Sequence, residues 1–81
     1  MTAREKSHVG LDLLKQAILE LLQQHPDGLT NIEIARELDL ESAFEGGQKN
    51  YLSWSILGLL LAENAVIYTL DGRNRRYQLA R

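Results

Sequence analysis

Gly28-Leu29-Thr30-Asn31-Ile32-Glu33-Ile34-Ala35-Arg36-Glu37-Leu38 is the stretch on which the fold turns. Thr30 and Glu33 stand at capping-box spacing: the threonine hydroxyl can accept from the Glu33 N–H, and the carboxylate can accept from the Thr30 N–H. Leu29 and Ile34 flank the cap where a hydrophobic staple forms. Ile34, Ala35 and Leu38 then share an inward face, while Arg36 and Glu37 point out. A short, well-capped helix over 31–38 is predicted, ending near Asp39-Leu40.

Upstream, Leu11, Leu14, Ile18, Leu21 and Leu22 recur with helical period, and Asp12 suits the positive end of the helix dipole. Pro26 and Asp27-Gly28 stop this helix and turn the chain, so it is expected over about 10–24. Residues 1–8 are polar and aperiodic and are expected to form a flexible N-terminus ahead of a single domain over 9–81.

Downstream, Ser42 and Glu45 suggest a second capping box, but Gly46-Gly47 oppose a helix there. An irregular turn holding Phe44 as a core plug is expected, with a long helix over 48–63. That helix is apolar on more than one side. Leu52, Ile56, Leu59 and Leu60 fall on one face, and Trp54, Leu57 and Leu61 lie nearly opposite. Such a helix is either sandwiched inside the fold or shared with a partner. Trp54, Leu57 and Leu61 are therefore candidates either for cover by a hairpin or for a homodimer interface.

The chain closes with two alternating segments, Ala65–Leu70 and Arg75–Ala80, around Asp71-Gly72-Arg73-Asn74. A four-residue loop would pair Tyr68 with Tyr77 and Val66 with Leu79. A two-residue Asp-Gly turn would set Tyr68 against Arg75 instead. The first register matches apolar with apolar and is preferred.

Helix, short Leu-Thr stretch, helix, helix, hairpin is an order that resembles the winged helix-turn-helix superfamily, over about residues 10–80. Residues 28–38 carry the likeness to its capped second helix, with Ala35 at the position where a small residue packs against the third helix. A looser similarity is to small bacterial domains found alone or joined to restriction-type nucleases. The resemblance implies an α+β, mainly α, domain of three helices followed by a C-terminal β-hairpin wing. It also implies binding to duplex DNA in a regulatory or targeting role. Carried over, it assigns DNA contact to Gln48, Lys49, Asn50 and Ser53, with Trp54 beside them, at the start of the third helix. In the wing it assigns Arg73, Asn74, Arg75 and Arg76. The residues suit that chemistry: Gln and Asn can pair bidentately with adenine, Lys reaches guanine or phosphate, and guanidinium forks match phosphate oxygens. The chain departs from the superfamily pattern at 39–47, where the connection is longer than usual and carries Glu41 and Glu45.

Charge qualifies this reading. The net charge is −2, unlike a strongly basic nucleic-acid binder. Five Lys/Arg against ten Asp/Glu occupy residues 1–70, whereas residues 71–81 hold four arginines against Asp71 alone. The acidity and the apolar third helix favour the alternative, a protein-interaction or dimerisation module of the same shape with no nucleic-acid contact.

With no cysteine there is no disulfide, thiolate nucleophile or Cys-based zinc site, and His8 and His25 stand too far apart in sequence to suggest a metal site. No nucleophile–base pair or phosphate loop is legible, so neither an enzyme nor a cofactor protein is expected. The N-terminus lacks the apolar run of a signal peptide, and the longest apolar run, Ile56–Ala62, is too short to span a membrane. A cytoplasmic protein is expected.

Overall fold

The computed structural model describes residues 1–44, 47, 48 and 50–80, of which 43, 44, 47 and 48 are described by their backbone alone. Among these residues the chain forms three helices and a three-stranded antiparallel sheet, a mainly helical α+β fold.

Helix α1 spans Ala3–Gln24. It begins well before the expected start at residue 10 because Thr2 and Glu5 form a capping box of their own. The expected start at residue 10 overlooked that pair. The predicted apolar stripe holds: Ile18, Leu21 and Leu22 are buried, and Leu11 and Leu14 pack at the edge of the core. The first turns of α1 project into solvent. The radius of gyration is accordingly 13.0 Å, against roughly 12 Å for a compact domain of this length.

Strand β1, Leu29–Thr30, leads into helix α2, Asn31–Glu37. The capping box forms as expected, with Thr30 N–H donating to Glu33 Oε1 at 2.9 Å and Glu33 N–H donating to Thr30 Oγ1 at 3.3 Å. Leu29 and Ile34 both enter the core.

The 39–47 connection differs from the expected irregular turn. Ala43–Phe44, strand β2, pairs antiparallel with Gly47–Gln48, strand β3. The proposed Phe44 plug and the Ser42–Glu45 box lie outside the described residues. Helix α3 therefore starts later than residue 48, at Tyr51, and runs to Ala62. Its N-cap, Asn50, adopts the left-handed conformation (φ 52°, ψ 45°), which Asn tolerates better than most residues.

Strands β4, Val66–Asp71, and β5, Asn74–Leu79, form the terminal hairpin. The preferred register is found, with Tyr68 opposite Tyr77 and Val66 opposite Leu79. The loop is shorter than the expected four residues, because pairing continues to Asp71 and Asn74 and leaves only Gly72-Arg73. Gly72 supplies the positive φ, 66°, at the first loop position that such tight turns need.

Three helices followed by a hairpin thus describes the fold only in part. β1 pairs with β5, Leu29 against Tyr77 and Thr30 against Arg76, giving the sheet order β1-β5-β4. The helices pack on this sheet through Ile18, Leu22, Ile34, Leu57, Leu60, Val66 and Tyr77, all at most 2% exposed. Among the described residues, no helix is long and apolar enough to cross a membrane.

Candidate functional site

The buried face of α3 consists of Ser53, Ile56, Leu57 and Leu60, at i, i+3, i+4 and i+7. This corrects both faces read from the sequence. Leu52 and Leu59, expected beside Ile56, are exposed. Leu57, expected in an interface with Trp54 and Leu61, is 0% exposed and belongs to the core. Leu61 packs on the core margin, and only Trp54 of that triad is open to solvent.

The same rotation buries two of the expected DNA contacts. Asn50 and Ser53 are 2% and 0% exposed. Asn50 accepts the Ser42 N–H through Oδ1 at 3.1 Å. Its backbone oxygen lies 3.3 Å from Asn31 Nδ2. Ser53 Oγ donates to Asn31 Oδ1 at 2.6 Å. These polar side chains fasten α3 to α2 and to the connection, and their burial keeps them from a base edge. The Gln48 side chain and Lys49 lie outside the described residues, and Gln48 belongs to β3, ahead of the helix.

Arg76 is likewise engaged within the fold. Its Nη2 donates to Asp71 Oδ2 at 2.7 Å, and its Nη1 donates to the Gly28 carbonyl at 3.0 Å. Glu33 Oε1 stands 3.6 Å away. The hydrogen bond to Asp71 is the main cause holding the guanidinium pKa above its ordinary value. Arg76 thus joins the hairpin to the β1–α2 corner.

Arg73, Asn74 and Arg75 remain at the surface, and none of the salt bridges among the described residues involves Arg73 or Arg75. The Arg75 guanidinium carbon lies 4.3 Å from the Tyr68 ring centroid, a cation–π position. With Trp54, these three residues line an open groove of 340 Å³. Thr30, the N-cap of α2, Asn31 and Ile32 in its first turn, and Tyr77 of β5 also line it. A second depression continues from Trp54, Arg75 and Tyr77 along Ser55, Gly58 and Leu61. Among the described residues no carboxylate lines either one, which favours positive potential there on an otherwise acidic molecule.

The structure therefore brings together Arg73, Asn74, Arg75 and Trp54 and removes Asn50, Ser53 and Arg76 from the set. The sequence reading missed Asn31 and Ile32, which reach the groove only because β1 pairs with β5. The exposed side of α3 offers Tyr51, Leu52, Trp54, Ser55 and Leu59, and the helix contains no Lys, Arg, Asn or Gln. The described residues contain no cluster of metal-ligating side chains. The chain matches no family model, no curated protein and no solved structure.

Proposed function

We propose that this chain is a winged-helix domain that binds duplex DNA chiefly through the phosphate backbone, in a regulatory or targeting role. One observation carries the reading: Arg73 and Arg75 line one groove with Asn74 and Trp54, and among the described residues no carboxylate lines it. Guanidinium groups free of ion pairs suit phosphate oxygens, and an exposed indole beside them suits a sugar or base face. The winged-helix shape is supported by the retained order of α1, β1, α2, α3 and hairpin, although the β2–β3 ladder is an addition to the expected plan.

This mode of binding discriminates weakly between sequences. Base edges are read by bidentate amides and guanidiniums, and α3 exposes only the hydroxyls of Tyr51 and Ser55 and the indole N–H of Trp54 for hydrogen bonding, none of them a bidentate group. Phosphate contacts fix position without reading sequence.

The test is a titration against mixed-sequence duplex at ~50 mM salt, repeated as salt rises. If Arg73 and Arg75 each neutralise one phosphate, Arg73→Ala/Arg75→Ala lowers the slope of log K against log salt by about 1.8. An unchanged slope removes the wing from the interface.

A second reading rests on the apolar side of α3, where Tyr51, Leu52, Trp54 and Leu59 are 42–55% exposed. Such a surface suits a protein partner. Absence of DNA binding at ~100 micromolar protein in low salt favours this reading over the first.

A further inference from the structure

We propose that β4 is a self-recognition edge, through which two copies of the chain pair antiparallel and join their sheets into one of six strands. The hairpin ladder fixes which backbone groups are free. Ala80 N–H donates to the Ala65 carbonyl at 3.0 Å. In an antiparallel ladder hydrogen-bonded pairs alternate with non-bonded ones. Residues 67, 69 and 71 therefore bond to β5, whereas Val66, Tyr68 and Leu70 turn their N–H and C=O groups the other way. The far side of β5 agrees: Tyr77, opposite Tyr68, turns its groups toward Leu29 of β1. Among the described residues no strand lies on the outer edge of β4.

Folded proteins protect such edges with lysine, proline, a bulge or a covering segment. β4 reads Val66-Ile67-Tyr68-Thr69-Leu70-Asp71, with neither lysine nor proline, and pairs with β5 without a bulge. Its middle is apolar and open, with Ile67 49%, Tyr68 41% and Leu70 72% exposed.

The occupant is a second copy because the strand complements itself in one register. Centred on Tyr68, antiparallel pairing sets Tyr68 against Tyr68 of the second copy, and Val66 against Leu70 of the second copy. All outward N–H and C=O groups of Val66, Tyr68 and Leu70 then find partners. On the other face Ile67 meets Thr69 of the second copy. The sole charge on the strand, Asp71, falls opposite Ala65 of the second copy, so like charges do not meet. A two-fold axis perpendicular to the sheet relates the copies. Both Trp54–Arg75 grooves therefore open on the same face.

Because the chain has no cysteine, Tyr68→Cys tests the register directly. A hydrogen-bonded antiparallel pair holds Cα atoms about 5.5 Å apart, within disulfide reach. Mild oxidation is expected to convert Tyr68→Cys to a covalent dimer of twice the 9.2 kDa chain mass, while Leu13→Cys on α1 stays monomeric. In light scattering over a dilution series, the unmodified chain is expected to approach the same doubled mass. Leu70→Pro, which removes an outward N–H and no bond to β5, is expected to return it to 9.2 kDa. A single-chain mass throughout the series overturns the proposal, as does a dimer that survives Leu70→Pro in a folded variant. If Leu70→Pro loses its circular-dichroism signature, the cross-linking pattern decides, and equal cross-linking at positions 68 and 13 overturns the proposal.

Discussion

Ser53 Oγ and Asn31 Oδ1 lie 2.6 Å apart where α3 crosses α2, a hydrogen bond closed off from solvent on the serine side. Ser53→Ala removes the donor and leaves the Asn31 oxygen without its partner. Such a loss costs about 1–3 kcal/mol. Urea denaturation should show that fall, while DNA affinity measured well below the new melting temperature stays unchanged. Weakened DNA binding in the folded variant would return Ser53 to the set of contacts.

Arg76 separates stability from binding in the opposite sense to its neighbours. Its partners, Asp71, Gly28 and Glu33, come from three segments. Arg76→Ala should lower the thermal midpoint and leave the salt slope of DNA binding as it was. Arg73→Ala should do the reverse, because Arg73 is exposed and outside the observed salt bridges. A salt slope that falls equally for both variants would show that Arg76 leaves Asp71 to reach phosphate.

The elements legible in the sequence are those whose signals are local. The Thr30–Glu33 box and the Tyr68–Tyr77 register each follow from residues close in sequence, and both are found. What stayed hidden depends on contacts between distant segments. β1 is two residues long and becomes a strand only through β5. The buried side of α3 is marked by a serine, and a helix apolar nearly all round has no period from which its inward face can be read. The site inherits that ambiguity. Arginine type singled out the wing, but only the sheet pairing tells Arg76, turned toward Gly28 and Asp71, from Arg73 and Arg75.

Gly28 is required where the β1 end of the chain passes β5. Its φ is 90°, and a Cβ there would stand 2.8 Å from the Tyr77 carbonyl oxygen. Gly28→Ala combines backbone strain with a clash against main chain and should cost about 2–4 kcal/mol. Gly10, inside α1, would place its Cβ in open space. Gly10→Ala should therefore stabilise the protein by about 0.5–1 kcal/mol. Equal responses of the two variants in denaturant titrations would contradict this account of Gly28.

Acid should loosen two helix starts together. The Thr30 N–H holds the Glu33 carboxyl below its ordinary 4.5, helped by the Thr30 hydroxyl, Arg76 and Arg36 and opposed by partial burial. Hydrogen bonds from Thr2 lower Glu5 in the same way. A carboxyl with a depressed folded pKa contributes fully above its unfolded value and loses that contribution as the pH falls through the folded one. The thermal midpoint should thus decline as the pH drops below 4.5. In Glu5→Gln/Glu33→Gln, where the amide keeps the cap but does not titrate, this decline should be shallower. Superimposable pH profiles for the two proteins would remove the caps as its source.

Trp54 and Leu57 are three residues apart on one helix, yet they are 55% and 0% exposed. Leu57 sits in the core with Ile18, Leu22 and Leu60. Leu57→Ala should cost about 2–5 kcal/mol through lost burial and the cavity left behind. Trp54 borders the arginine groove instead, so Trp54→Ala should leave the unfolding midpoint nearly unchanged. Under the DNA reading the variant weakens duplex binding, and the salt slope is kept because no charge is lost. Under the protein-docking reading it binds DNA no differently from the unmodified chain and loses its partner. Quenching of indole fluorescence on adding duplex to the unmodified protein separates the two, since only a Trp54 that meets nucleic acid responds.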